Sequence, residues 1–204
     1  MPHFRVERRL AAGGVWPIAG VDEAGRGPLA GPVAAAAVIL DPNDLPKGLD
    51  DSKRLAPHER ERLYELVLKK ALAVAAAFAS AAEIDRLNIR QATHLAMRRA
   101  AGALALAPVH LLVDGNDLPA DLCCRGQTIV QGDASSMSIA AASIIAKVTR
   151  DRLMRRLAVH HPEYGFEQHV GYATRAHLEA LRAHGPTCYH RRSFAPVLGA
   201  LAAV

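Results

Sequence analysis

The chain has 204 residues, half of them hydrophobic, which is enough for one domain with a sizeable core, with or without a small appendage. The formal net charge of +5 favours an anionic partner, and the 4% aromatic content argues against extensive stacking on bases. The three cysteines fit neither a disulfide framework nor a zinc site, and no run is suited to a signal peptide or a membrane span. We therefore expect a cytoplasmic protein with free thiols and no membrane partner.

The first half of the chain predicts a sheet that begins with a hairpin. Residues 1–14 are expected to be a polar lead-in. Two apolar runs of strand length are joined by a short turn, which favours an antiparallel hairpin, and Pro57 suits the first turn of a helix. The predicted elements are strands at 15–21 and 33–40, a helix at 57–72 and a buried, alanine-rich strand at 73–81.

The second half predicts strands mixed with helices. Asn88 can cap a helix that ends at Pro108, and a long helix begins near Ser135 or Ser136. The remaining predicted elements are strands at 109–113 and 128–131 and helices at about 135–160 and 174–184. Together with the early hairpin, this order predicts an α/β fold with a mixed sheet.

An apolar run at 18–21 leads into two adjacent carboxylates, Asp22 and Glu23, and then into a turn at 25–27 with the sequence Gly-Arg-Gly. Neighbouring side chains of a regular strand point to opposite faces, so both acids can serve one site only if the strand ends there. The glycines tolerate backbone angles that would break the pleat. Paired acids beside bare amides and an arginine suit a hard divalent cation next to a phosphate; the alternative is a surface turn with two solvated acids.

Two later acids repeat this arrangement, because Asp114 and Asp133 each follow a short apolar strand. Ligands of open α/β sheets gather at strand ends, so we expect both to join Asp22 and Glu23 in one acidic cluster. Taken singly, Asp114 could be only a turn former, and Asp133 could only stabilise a helix N-terminus. Such a cluster in a basic protein predicts two divalent ions that promote phosphodiester hydrolysis, with lysines and arginines binding a nucleic-acid backbone.

These motifs resemble those of the ribonuclease HII family, the type 2 ribonucleases H. The resemblance covers nearly all of residues 18–197, and its first motif and the motifs at 132–151 are long and specific. The matching motifs are Gly20-Val21-Asp22-Glu23-Ala24-Gly25-Arg26-Gly27-Pro28-Leu29-Ala30-Gly31-Pro32-Val33, Asp51-Ser52-Lys53, Val113-Asp114-Gly115-Asn116, Gly132-Asp133-Ala134, Ser138-Ile139-Ala140-Ala141-Ala142-Ser143-Ile144, Ala146-Lys147-Val148-Thr149-Arg150-Asp151, Tyr164-Gly165-Phe166 and His190-Arg191-Arg192-Ser193-Phe194.

The resemblance implies a ribonuclease H-like fold with a mixed sheet flanked by helices. It implies a single domain, with a catalytic core at about 15–160 and a mostly helical C-terminal part at about 161–204. The implied enzyme cleaves the RNA strand of RNA/DNA hybrids and cuts DNA duplexes at embedded ribonucleotides. Water would attack the phosphate 5′ to a ribonucleotide and leave 5′-phosphate and 3′-hydroxyl ends. The implied catalytic residues, which would also bind two Mg²⁺ or Mn²⁺ ions with the substrate, are Asp22, Glu23, Asp114 and Asp133.

The resemblance also implies how the substrate is recognised. Gly25, Arg26 and Gly27 would contact the ribonucleotide and sense its 2′-hydroxyl group, the one group that distinguishes RNA from DNA. Tyr164 would pack at the junction from RNA to DNA.

Basic residues are the remaining candidate contacts. We expect Arg26, Lys53 and Lys147 to contact phosphates, although a solvated helix face is the commoner fate of charges such as Lys147. Arg150 is expected to lie on such a face, as are Arg155 and Arg156. The chain departs from the family at 169–174, where the family often has His-Lys-Gly-Tyr-Gly-Thr and this chain has His-Val-Gly-Tyr-Ala-Thr, so a backbone contact from the lysine is missing.

Two other function classes compete with a nuclease. A nucleotide-binding protein could use Gly25 and Gly27 as a phosphate loop, but their spacing misses both the Gly-x-Gly-x-x-Gly and the Walker patterns. A non-catalytic module could bind RNA/DNA hybrids, but a pure binder gains nothing from four clustered carboxylates. We therefore expect an enzyme that acts as a monomer on RNA/DNA hybrids or on DNA duplexes with embedded ribonucleotides.

Overall fold

The computed structural model describes residues 1–202, and in this range one five-stranded mixed sheet forms the centre of the protein. The strands are β1 (Ile18–Ala24), β2 (Val33–Leu40), β3 (Ala71–Ala79), β4 (His110–Asp114) and β5 (Arg125–Ile129). Their order across the sheet is β3-β2-β1-β4-β5. β1 is antiparallel to β2 and parallel to β4, β2 is antiparallel to β3, and β4 is parallel to β5. The predicted α/β fold and its opening hairpin are confirmed.

Helices cover both faces of this sheet. They are α1 (Arg5–Ala12), α2 (Pro57–Lys70), α3 (Ala81–Leu87), α4 (Ile89–Gly102), α5 (Gly132–Ser135), α6 (Met137–His160), α7 (Phe166–His169), α8 (Arg175–His184) and α9 (Ala195–Ala202), with a 3₁₀ turn at Pro162–Tyr164. α6 and α2 pack on one face of the sheet and α4 packs on the other. Among residues 1–202, no helix combines the length and the apolar character that crossing a membrane requires.

Strand β2 is buried along its whole length, because helices lie on both of its faces. Its side chains alternate between two cores: Ala35 and Ala37 pack with α4, whereas Ala36 and Val38 pack with α2 and α6. A strand buried on both faces is expected to be continuously apolar. The alanines therefore mark the place where the helices approach the sheet most closely.

The N-terminal residues form a helix, so the expectation of a polar lead-in is wrong. Glu7 of α1 is fully buried and accepts hydrogen bonds from the Ser136 hydroxyl at 2.6 Å and from the Ser138 N–H at 3.0 Å. A carboxylate at this place stabilises the N-terminus of α6. Ser136 is the N-cap of α6 and its hydroxyl oxygen accepts a bond from the N–H of Ile139, so the predicted start of the long helix is confirmed.

Other elements also differ from their predictions, among them α4, which ends at Gly102 instead of at Pro108. β3 is a strand, as expected, but it forms the edge of the sheet and is largely half-exposed instead of buried. β5 begins at Arg125, three residues before its predicted start, because the polar residues at 125–127 pair with β4 in parallel register. α3 was not predicted; a capping box formed by Ser80 and Glu83 defines its start.

Replacing Gly20 with alanine is expected to destabilise the fold. A Cβ atom at Gly20 would lie 2.1 Å from the carbonyl carbon of Ser138, because α6 packs directly on the backbone of β1. Overpacking of this kind costs about 1–3 kcal/mol, which urea unfolding can measure. Gly102→Ala is the matched control, since nothing lies within 4 Å of the added atom. Equal stability of the two variants would contradict the close approach of α6.

Candidate active site

The four predicted carboxylates come together at one edge of the sheet. β1 and β4 are parallel, and the register that pairs Val21 with Val113 brings the next residues, Asp22 and Asp114, side by side. Both strands therefore direct their carboxyl ends to the same edge, where ligands of α/β proteins usually bind.

β1 does not end at its acids, which corrects the expectation of a broken pleat. The strand continues to Ala24, because β2 pairs with it as far as Ala34. Asp22 is 5% exposed and lies on the α6 face beside Ser143, whereas Glu23 lines a cavity on the α4 face with Thr93 and His94. Asp114 ends the adjacent strand and interacts electrostatically with both acids, so the site forms at the end of the sheet and not on one face.

Asp133 reaches the same site from a different element. It lies in the short helix α5 and is nearly buried. The N–H of the preceding residue, Gly132, donates a hydrogen bond of 2.7 Å to Asp114 Oδ1, which joins β4 to α5. The ends of β1 and β4 and the helix α5 thus bring the four acids together.

The negative charge of the site is only partly compensated by the nearby cations Arg26 and Lys53. Burial raises the pKa of Asp22 well above its usual value, and the charges of Glu23 and Asp114 raise it further. Burial also raises the pKa of Glu23 against the opposing effect of Arg26, and burial together with Asp114 raises the pKa of Asp133. A cation placed among these groups would relieve this repulsion.

Asp51 and Lys53 bring further charge to the cluster from the loop before α2. Asp51 also raises the pKa of Asp133, although sequence analysis gave it no role. Burial lowers the pKa of Lys53, but Asp22 and Asp133 outweigh this effect and the net shift is upward. Lys53 is thus a cation that the acidic site holds in its charged form.

The donor chemistry of the site fits a hard divalent cation, since all four side chains offer carboxylate oxygens. Within residues 1–202, however, no three His, Cys, Asp or Glu side chains converge closely enough to form a finished ligand set. The four carboxylates lie around one site, and they are the side chains that would hold such a cation.

The predicted substrate-binding residues, apart from Tyr164, line one cleft beside Glu23. They are Gly25, Arg26, Gly27, Lys53 and Lys147. A hydrogen bond of 2.9 Å between the Ser52 and Ser143 hydroxyls joins the loop that carries Lys53 to α6, which carries Lys147. Arg26 contacts Glu23 at 3.4 Å, and Lys147 donates to Asp151 at 2.8 Å. The cleft therefore presents basic groups directly next to the acidic cluster.

Tyr164 does not lie in this cleft, which corrects the expected substrate contact. Its side chain is 3% exposed, its ring stacks on Phe166 with centroids 5.3 Å apart, and its hydroxyl donates to the carbonyl of Gly185. The aromatic residue that lines the cleft is Tyr172, which is 45% exposed and lies beside Gly27. Both tyrosines lie next to a glycine and near an apolar residue, so no local signal in the sequence distinguishes them.

A second group beside the acids was missed in the sequence. Arg90 and His94 of α4 both contact Asp117, which follows the end of β4; the Arg90 Nη2–Asp117 Oδ1 distance is 2.7 Å and the His94 Nε2–Asp117 Oδ2 distance is 3.1 Å. These contacts join α4 to the loop after Asp114. The sequence shows that Arg90 and His94 are four residues apart and can share one face of a helix, but it does not show that Asp117 is their partner.

Comparison with known proteins identifies the family. The sequence profile described as Ribonuclease HII matches residues 19–197. The Ribonuclease HII of Brucella ovis is 57% identical over 199 residues, which are 97% of this chain and 90% of that protein. The Ribonuclease HII of Bradyrhizobium sp. is 58% identical over 199 residues, covering 98% of this chain and 68% of that protein.

Solved structures share the fold. The ribonuclease H2 from Pyrococcus horikoshii OT3 has a TM-score of 0.77 at 26% identity, covering 91% of this chain and 97% of that one. A chain of the PCNA:RNase HII complex from Archaeoglobus fulgidus has a TM-score of 0.74 at 28% identity, covering 88% and 95%. Bst-RNase HIII in complex with Mn²⁺ has a TM-score of 0.72 at 22% identity, covering 91% and 69%. Sequence and fold therefore agree that the chain belongs to the ribonuclease HII family and is an enzyme of the ribonuclease H class.

Proposed function

We propose that this chain is a metal-dependent endoribonuclease of the cytoplasm. Its substrates are RNA/DNA hybrids and DNA duplexes with embedded ribonucleotides, and its products carry 5′-phosphate and 3′-hydroxyl ends. The observation that carries the proposal is the meeting of four acids, Asp22, Glu23, Asp114 and Asp133, beside a cleft lined with basic residues. An acidic site of this kind repels a polyanion unless cations compensate its charge.

The four acids are the residues that would hold the metal ions. Burial and mutual repulsion raise the pKa values of three of them, and a divalent cation would stabilise their ionised forms. The Mn²⁺ bound by the Bst-RNase HIII relative supports the choice of Mn²⁺ or Mg²⁺. When bound, two such ions would supply activation of water and stabilisation of the leaving oxygen.

The cleft residues bind and orient the nucleic acid. Lys53 and Lys147 line the cleft and contact phosphates of the backbone, and Arg26 adds a third positive charge next to Glu23. The turn at 25–27 offers backbone amides to the 2′-hydroxyl group. Tyr172, in place of Tyr164, supplies the aromatic surface at the junction from RNA to DNA.

We also infer the domain organisation and the oligomeric state of the protein. Residues 1–204 act as one domain and as a monomer, with the C-terminal part completing the cleft. Tyr172 supports the single domain, because it belongs to the part that follows α6 and lines the same cleft as Gly25 and Lys53 of the core.

Asp114→Asn is expected to remove most of the activity and leave the fold intact. The amide keeps an oxygen that can accept the bond from Gly132 but loses the negative charge needed at the site. Cleavage of a duplex with a single embedded ribonucleotide should fall by about 100-fold or more, given that even outer-shell changes at metal sites cost 10–100-fold. Asp121→Asn, at an exposed loop position, is the control. Wild-type turnover in a folded Asp114→Asn protein would refute the role of the acids.

Removal of divalent ions separates the nuclease from a non-catalytic binder. Cleavage of the same duplex should stop in EDTA and return when Mn²⁺ or Mg²⁺ is added in excess. Without the cations, the carboxylates repel the negatively charged scissile phosphate, and no metal ion activates the attacking water. End-labelled products should carry 5′-phosphate and 3′-hydroxyl groups. Binding without cleavage at every metal concentration would favour the non-catalytic module instead.

Substitutions of the two tyrosines should affect different properties: Tyr172 the KM for the substrate and Tyr164 the stability of the fold. Tyr172→Ala should raise KM for the ribonucleotide-containing duplex about tenfold, because stacking on an aromatic side chain contributes about 1–3 kcal/mol per base. Tyr164→Phe should keep KM and lower the free energy of unfolding by about 1 kcal/mol, since it loses one hydrogen bond. Tyr172→Phe, which keeps the ring, is the matched control for the first variant. An unchanged KM in Tyr172→Ala would show that Tyr172 does not make the aromatic contact with the substrate.

A further inference from the structure

Two buried arginines lie beneath the turn at 25–27. Arg191 is 0% exposed and Arg150 is 1% exposed, although the sequence predicted a solvated helix face for Arg150 and no role for Arg191. Burying a guanidinium group is costly unless its N–H groups find acceptors. Neither arginine has a hydrogen-bonded carboxylate partner within the described part of the chain. Their acceptors are backbone carbonyls between residues 25 and 32.

Arg191 holds the turn itself. Its guanidinium donates to the carbonyl of Gly25 at 2.6 Å, to that of Arg26 at 2.7 Å and to that of Gly31 at 2.9 Å. Burial and the neighbouring charge of Arg150 lower the pKa of Arg191 to about 9, so the group is still protonated at neutral pH. One planar cation thus fixes consecutive carbonyls of the turn in a single orientation.

This orientation determines where the amides of the turn point. In a trans peptide the C=O and the following N–H point in opposite directions. Because the carbonyls of Gly25 and Arg26 point inward to Arg191, the N–H groups of Arg26 and Gly27 point away from it. Neither N–H donates to an acceptor in residues 1–202, and the turn lines the cleft beside Glu23. Two free donors are therefore presented side by side on the cleft surface.

Arg150 supports the same turn from below. It donates to the carbonyls of Ala30 and Pro32 at 3.2 and 3.0 Å. Its Nε atom would lie 1.9 Å from a Cβ atom at Gly25, whose φ of +91° also favours glycine. The backbone of the turn thus rests on this guanidinium, and both the position and the conformation of Gly25 require a glycine.

We propose that Arg191 is a positioning residue for ribonucleotide recognition, which it performs by directing the N–H groups of Arg26 and Gly27 towards the 2′-hydroxyl group of the substrate. This inference rests on the proposed function, because it assigns a cause to the recognition step. A purely structural role would also explain bonds between the C-terminal part and the core. The two roles differ in what happens to selectivity when the fold survives.

The test is Arg191→Lys in the full chain. A lysine keeps the charge but lacks the planar fork, so it cannot hold both carbonyls in their present orientation. For a duplex with one ribonucleotide, KM should rise about tenfold while kcat stays nearly constant, the size expected when neutral hydrogen bonds from two backbone amides to a hydroxyl group are lost. The inhibition constant of an all-DNA duplex of the same sequence should not change. Arg192→Lys, at the exposed neighbouring position, should leave all three constants unchanged.

A second readout needs no substrate. In the free protein, ¹⁵N relaxation should show lower order parameters at Arg26 and Gly27 in Arg191→Lys and unchanged values in the strands. If that variant does not fold, Phe194→Leu is used instead; it keeps the guanidinium and removes the ring 5.2 Å from its central carbon. It should change the same constants in the same direction, by a smaller factor.

The outcomes separate the inference from the proposed function. Wild-type order parameters and wild-type KM in a folded variant would overturn the positioning role. Parallel weakening of the ribonucleotide duplex and the all-DNA duplex would assign Arg191 a purely structural role. If the wild-type protein does not cleave the duplex with one ribonucleotide or an RNA/DNA hybrid, the proposed function fails. The relaxation data on the free protein then still decide whether Arg191 orders the turn.

Discussion

The candidate active site depends on how the central strand β1 is paired. Its parallel pairing with β4 brings the carboxyl ends of two strands to one edge of the sheet, and with them Asp22, Glu23 and Asp114. Its antiparallel pairing with β2 returns the chain through the glycine turn that lines the cleft. Its glycine at position 20 lets α6 pack on the backbone, and α6 carries Ser143 and Lys147 to the site. One strand and its three neighbours thus determine where the four acids and the basic cleft residues meet.

Charge is separated across the turn at 25–27. Carboxylates with raised pKa values lie on its open side, and the guanidinium groups of Arg150 and Arg191 lie buried beneath it. The two groups of charges do not form ion pairs with each other. The acids repel one another, and the guanidinium groups of Arg150 and Arg191 donate to neutral backbone carbonyls. This arrangement leaves the acids suited to bind cations and the amides of the turn suited to bind a hydrogen-bond acceptor.

Several features could not be predicted because they depend on distant partners. Arg150 belongs to the same basic helix half as Arg152 and Arg155, and nothing local distinguishes it from them. Arg152 and Arg155 pair with Glu61 on the surface, whereas Arg150 faces a turn more than one hundred residues earlier in the chain. Likewise, β5 forms from polar residues because β4 offers free backbone groups, and α1 is fixed by the bonds that its Glu7 accepts at the start of α6.

The sequence by itself determined what local chemistry controls. The apolar runs, the caps at Asn88 and Ser136 and the acids at strand ends predicted the α/β fold and the four carboxylates that meet at the site. Only the tertiary structure decided which face each side chain occupies, because burial depends on the elements packed against a residue and not on its neighbours in sequence. For that reason Tyr164 is buried among aromatic rings, Tyr172 lines the cleft, and Arg191 lies beneath the turn.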